Sequence, residues 1–357
     1  MNAFFKDLKI VELANVLAGP LVGTFFSELG AEVVKIENKL SKGDVTRSWK
    51  LASESKISEV SAYYASANWN KKSIMADFGD AADKQKVYDL INNADLVISN
   101  YKTGDDVKLG MDYETLKKIN PALIYASITG FGEESRRTAF DLVLQAETGF
   151  MYMNGTPESG PVKMPVALID ILAAHQLKEG ILVALIKKIK TGQGSKVSVS
   201  LYDSAIASLA NQAGNWLMAG EDPQPIGSLH PNIAPYGELF ITKDKKQVVL
   251  AVGNNKQFEQ LCHVLALQSL SADPLYAINT ERVKNRKMLF EKLQSRIKNE
   301  DSDQLMKQLI ENDVPAGLIR SVKNVFEDAA ARSLIHSDTR IPENESTSVK
   351  TVIFNIK

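Results

Sequence analysis

The sequence is poor in the residues that carry disulfide and metal chemistry. It holds one cysteine, Cys262, in 357 residues, so no internal disulfide can form. Inside LCHVLALQSL that cysteine has apolar neighbours and reads as a buried core position, not a nucleophile. The histidines, at 175, 230, 263 and 336, form no HxxxH pair and have no cysteine or carboxylate set to complete a site. No metal is expected.

Long runs are missing too. Lys+Arg 42 against Asp+Glu 43 leaves a formal charge of −1, and no block of like charges offers itself to a polyanion. Nucleic acid is not an expected partner. No apolar run approaches the ~18 residues of a membrane span, and MNAFFKDLKIVEL has no apolar core ending in a small-residue cleavage site. A cytoplasmic protein with no membrane partner is the expectation. No GxGxxG follows the first apolar strand, and TGQGSK at 191–196 lacks the GK[ST] ending of a phosphate loop. Nicotinamide is therefore not expected, and TGQGSK reads as a helix stop and a turn.

What is present is an alternating α/β pattern. Hydrophobic residues make up 44% and charged residues 24%, ordinary values for a globular chain. The length exceeds the roughly 250–300 residues that one core serves, so two lobes are expected. Strand-like Leu8–Leu13 leads to a helix opened by Ala18-Gly19-Pro20 and closed at Gly30, and then to strand-like Glu32–Ile36. After an irregular stretch at 38–70, helices near 81–93 and 112–119 alternate with apolar strands at 96–99 and 123–128. A long helix over 171–189, a strand at 196–201 and a helix near 202–219 complete a Rossmann-like large domain with a parallel sheet, over 1–219.

Pro223, Pro225, Pro231 and Pro235 mark a linker at 220–237. Beyond it, a strand pair and helices near 255–266, 281–298 and 302–312 predict a smaller α+β domain over 238–320. A C-terminal segment at 321–357, with a strand-like run at 349–356, is expected to return to the large domain.

Two acids stand at predicted helix starts: Asp170 ends the apolar run PVALID, and Asp141 opens LVLQAETGF. Each could be an N-cap and no more. The residues alone leave these acids without an assigned role.

Several segments in register resemble the family III CoA-transferases (CaiB/BaiF type), the group of formyl-CoA, carnitine and bile-acid CoA-transferases. They are LKIVELANVLAGPLVGTFFSELGAEVVKIE, GDVTR at 43–47, NWNKKSIMADF at 68–78 and ADLVISNYKTGDDVKLGMDYETLKKINPALIYASITGFG at 94–132. AFDLVLQAETGF at 139–150, the stretch from ALIDILAAHQ through VSLYDS, LHPNIAPYGELF and NDVPAGLI follow in the same order.

The resemblance implies an enzyme that moves coenzyme A from an acyl-CoA to a free carboxylic acid. It implies that Asp170 is the nucleophile, attacking the thioester to form an aspartyl anhydride and then an aspartyl-CoA thioester. A carboxylate near its ordinary pKa of about 3.9 would be ionised at neutral pH. Asp141 falls where the family carries an acid near the thioester. Val16, Leu17 and Ala18 match the segment passing close to coenzyme A, and Asn100, Tyr101 and Lys108 match nucleotide-side contacts. Arg47 and Lys71 are further phosphate candidates. The family also implies a homodimer of interlocked protomers.

Three departures from formyl-CoA-type members matter: Leu17 replaces a glutamine, Asn38 replaces a basic residue, and no glycine-rich flap occurs in 220–237. Leu17 has no donor for an acyl oxygen, so a more apolar acyl group fits. The related α-methylacyl-CoA racemases need a histidine base where this chain has Phe140, and a partner glutamate missing from AVGNNKQF. A CoA-binding protein without turnover is the other alternative.

Overall fold

A computed structural model describes residues 4–338 and 346–356. Residues 1–3, 339–345 and 357, in the expected large domain and C-terminal segment, lie outside the described residues. The chain forms two compact units, one of 1–155, 159–225 and 332–357, the other of 156–158 and 226–331. The crossing at 225/226 falls inside the Pro-rich stretch. The return comes at Arg332, later than the expected 321.

The first unit is built on six parallel strands: β1 (Lys9–Leu13), β2 (Glu32–Asn38), β3 (Lys72–Ala76), β4 (Leu96–Ser99), β5 (Ile124–Thr129) and β6 (Ser195–Ser200). Their order is β3-β2-β1-β4-β5-β6. The expected parallel α/β sheet is therefore present, with β3 as a strand the apolar pattern did not announce. KSIMA leaves only Ala76 buried, because it is an edge strand.

Both faces of the sheet are covered. Ile10, Ile98, Ile124 and Ala126 pack one face against α1 (Ala18–Glu28) and the helix Leu168–Thr191. Val11, Leu13, Val97 and Tyr125 pack the other against Val87, Ile91 and Leu116. Alternate strand residues thus serve two cores. Gly23 is required by close approach: a Cβ there would collide with the buried Glu12 carboxylate.

The second unit has a three-stranded antiparallel sheet, Ala316–Leu318, Gln247–Ala251 and Tyr236–Ile241. Its core gathers Phe240, Val248, Phe258, Leu289 and Leu305 around Cys262. Cys262 is fully buried, and burial pushes its thiol up to about 12. This is the smaller α+β body.

Several boundaries differ from the sequence reading. The helix foreseen near 202–219 is broken into Leu201–Ala207 and Ala210–Ala219, with Ala210 at φ 45°. That over 281–298 stops at Lys284 and restarts at Arg286. The C-terminal strand is Ser346–Val349, paired with Ile335–Asp338, so the run 349–356 is not a strand. Residues 351 and 352 instead donate their amides to the buried Glu28 carboxylate. Those bonds satisfy the backbone without a ladder. Among the described residues no helix is long and apolar enough to cross a membrane.

Candidate active site

The strand order reverses between β1 and β4, and in open α/β sheets the crevice at the carboxyl ends beside such a reversal is where ligands bind. Asn15, after β1, and Asn100, after β4, close this point reciprocally. Asn15 N donates to Asn100 Oδ1 at 2.9 Å, and Asn100 Nδ2 donates to Asn15 O at 2.7 Å.

Around that pair lies a cleft of about 170 Å³. Val16, Leu17 and Ala18 line one side, Asn100 and Tyr101 a second, and Phe140 and Asp170 a third. Six of the ten candidate residues are thereby gathered at one cleft, with Asp141 next to Phe140 in the chain. A neighbouring cleft of about 680 Å³ shares Asn15 and Tyr101 and adds Asn38, Lys42, Asp44 and Arg47.

Asp170 is in the first turn of the helix Leu168–Thr191, whose cap residue is Ala167. It is therefore not the cap that its place after PVALI suggested. The cap comes from elsewhere: Asp141 Oδ1 accepts from Ile169 N at 2.8 Å. Asp141 does not cap its own helix, Asp141–Glu147, where Phe140 holds the cap position. Gln145, one turn on and fully buried, orients Asp141 through Nε2 to Oδ2 at 2.7 Å, and its Oε1 accepts from Met164 N at 2.8 Å. Sequence reading passed over Gln145; its signal was the i, i+4 spacing from Asp141.

Only 8% of Asp170 is exposed, and its carboxylate makes no hydrogen bond among the described residues. Burial, and secondly the charge of Asp141, raises its pKa to about 7. This corrects the expectation of an ordinary carboxylate: near neutrality a substantial fraction of Asp170 is protonated. Tyr63, also missed, lies in the field of both acids, and its phenol is raised by burial and then by Asp170, Asp141 and Asp44.

The basic candidates divide. Lys71 is turned into the interior, where its ammonium meets Glu12 Oε2 at 2.8 Å, Pro20 O at 2.7 Å and Ala67 O at 2.7 Å. Burial lowers its pKa to about 8. A phosphate role for Lys71 is thereby corrected, since its donors are spent inside. Arg47 borders the larger cleft, but its guanidinium is held by Glu37, at 2.7 Å from Nε and 2.6 Å from Nη2, and lies over the Tyr64 ring. Glu37 is lowered to about 2 by these bonds against the cost of burial. Lys108 is exposed, pairs with Asp105 at 2.8 Å and lines neither cleft.

Comparison with known proteins settles the family. The sequence profile of CoA-transferase family III matches residues 5–355. The chain belongs to CoA-transferase family III. It is 37% identical over 331 residues to a succinate–glutarate CoA-transferase of Agrobacterium fabrum, covering 90% of this chain and 82% of that protein. Against the human succinyl-CoA:glutarate CoA-transferase the figures are 35%, 90% and 73%. The crystal structure of a CaiB/BaiF family protein from Brucella suis superimposes with a TM-score of 0.85 at 38% identity, covering 99% of this chain and 93% of that one. A family III CoA-transferase uses CoA thioesters and carboxylic acids as substrates.

Proposed function

We propose that this family III CoA-transferase exchanges coenzyme A between two carboxylic acids with Asp170 as the covalent carrier. The observation that carries the reading is the Asp170 carboxylate, nearly buried, without hydrogen-bond partners among the described residues, at a cleft bordered by the α1 start. Ionised Asp170 attacks the thioester carbonyl, expelling CoA thiolate and leaving an acyl-aspartyl anhydride. The thiolate attacks the Asp170 carbonyl, releasing the first acid and forming aspartyl-CoA. The incoming carboxylate attacks the aspartyl-CoA carbonyl and expels the thiolate, which then takes the new acyl group and frees Asp170. Each step exchanges one acyl bond for another, so no external energy source is needed.

Leu17 holds the cap position of α1 without a side-chain cap, leaving first-turn amides to hold a developing oxyanion. The nucleotide end of coenzyme A fits the larger cleft, with Arg47 and Lys42 at its border, while Asn15 and Tyr101 line both clefts. Phe140 is half exposed at the mouth and has no titratable group, which favours transfer over α-proton removal.

For the acids, the named activities of the relatives and the apolar Leu17 support chains of four or five carbons with two carboxylates. A homodimer is part of the proposal. On the long helix Val183, Ile186 and Ile189 are exposed at helical spacing, an apolar stripe that a second copy would cover.

The test is a matrix of acyl-CoA donors against acceptor acids, read by mass spectrometry of the CoA esters, with hydroxylamine trapping of the enzyme. Transfer between dicarboxylic acids with an adduct at Asp170 is the expected result. An adduct at another residue, or α-carbon deuterium exchange without transfer, overturns it. Sedimentation at micromolar concentration showing a monomer overturns the dimer.

A further inference from the structure

We propose that Asp44 is a positioning residue: its carboxylate holds Val16 in a left-handed backbone conformation and so fixes the loop Asn15–Ala18 against the Asp170 cleft. This rests on the reading of Asp170 as the nucleophile. Val16 has φ 70°, a region in which a β-branched residue is an outlier, and such strain persists only where surroundings impose it. The constraint is visible. Val16 N donates to Asp44 Oδ2 at 3.0 Å, and the same oxygen is 3.1 Å from Lys35 Nζ.

The rest of the loop is held likewise. Lys35 Nζ donates to Ala14 O at 2.6 Å, and Asn100 holds Asn15 N and O. Four successive backbone polar groups, from Ala14 O to Val16 N, thus end on side chains from β2, the loop after it and the loop after β4. Asp44 is itself fixed. Its Oδ1 accepts from Thr46 N and Oγ1 at 3.0 and 2.8 Å, and its own amide donates to Glu37 Oε2 at 2.7 Å. Lys35 and Asp44 are buried, and Lys35 also meets Glu12 Oε1 at 3.1 Å. A rigid ionic brace under a strained loop suits a site that must be aimed before substrate arrives.

Asp44 does not line the Asp170 cleft, whereas Val16, Leu17 and Ala18 do. It borders only the neighbouring one. A direct contact with coenzyme A in that cleft would show in KM, so an effect on kcat with little change in KM passes through Val16. The turn directly precedes α1, so relaxation at Val16 would swing the first amides of that helix away from the reacting carbonyl. A displacement of about an ångström at such a place can lower turnover by about a hundredfold.

The test is a cycle of Asp44→Ala, Val16→Gly and the double variant, with kcat and KM for acyl-CoA and trapping at Asp170 in the whole enzyme. Asp44→Ala should lower kcat at least about tenfold with a much smaller change in KM. Glycine adopts positive φ without strain, so adding Val16→Gly to Asp44→Ala should recover about threefold or more in kcat. Asp44→Asn keeps an oxygen for the Val16 amide while losing the charge facing Lys35, and should fall between native and Asp44→Ala. If Asp44→Ala does not fold, the same cycle on Asp44→Asn gives the answer. A kcat unchanged in the folded Asp44 variants, or effects of Val16→Gly and the Asp44 change that simply multiply, would overturn the proposal. Native enzyme without an adduct at Asp170 would instead reject the nucleophile reading.

Discussion

Asp141 Oδ1 accepts the backbone amide of Ile169 at 2.8 Å, the residue directly before Asp170. One acid therefore anchors the turn that carries the other and, by its charge, adds to the rise in its pKa.

The pH dependence follows from that pairing. As the proposed nucleophile Asp170 would have to be ionised to attack, and its folded pKa is about 7. The kcat/KM of the free enzyme should fall on the acid side with a midpoint near neutrality, far above the ordinary carboxylate range. A profile flat from pH 5 to 8 would contradict it.

Asp141→Asn and Asp141→Ala should separate the two roles of Asp141. Asparagine keeps an oxygen for the Ile169 amide but removes the negative charge, so the acid limb should move to lower pH. Alanine also removes the cap, costing about 1 kcal/mol. Melting curves and pH–rate profiles on both variants check this, and an unmoved limb in Asp141→Asn would sink it.

Asp170 should weaken the fold at alkaline pH. Its folded pKa, about 7, exceeds the unfolded value, so its contribution is full below the unfolded pKa and lost as pH rises through 7. A rise from the ordinary carboxylate value to about 7 corresponds to about 4 kcal/mol. Asp170→Asn, always neutral at this position, should melt above the native chain at pH 8, with the gap narrowing at pH 5. Thermal scans at the two pH values decide.

Lys71→Met should act on stability and leave acyl-CoA affinity alone. Removing the ammonium strands part of the buried Glu12 charge, a loss of about 3–5 kcal/mol. Denaturant unfolding should show that loss, while KM for acyl-CoA stays within about twofold in the folded protein. A large KM effect with unchanged stability would restore the phosphate role.

Leu17→Gln should tilt selectivity toward shorter, more polar acids by adding a donor to the cleft. Competition between a two-carbon and a five-carbon dicarboxylic acid measures it; an unchanged ratio would show that Leu17 does not meet the acyl group.

The sheet was legible because local rules decide it. LKIVEL, EVVKI, LVIS and LIYASI are short apolar runs between helix signals, and strands buried on both faces have that composition in any context. The resemblance likewise led to Asp170, Leu17 and Asn100, now at one cleft. What sequence could not decide was which charges face solvent and which face each other. Lys71 and Lys108 are the same residue type, yet one is buried against Glu12 and the other is exposed beside Asp105. The cap of Asp170's helix comes from a residue 28 positions earlier, and the Asp170 pKa is set by burial and by that same neighbour. Ion pairing and desolvation are fixed by distances that exist only once β1, β2 and the loops above them have packed together, so only the tertiary structure could assign them.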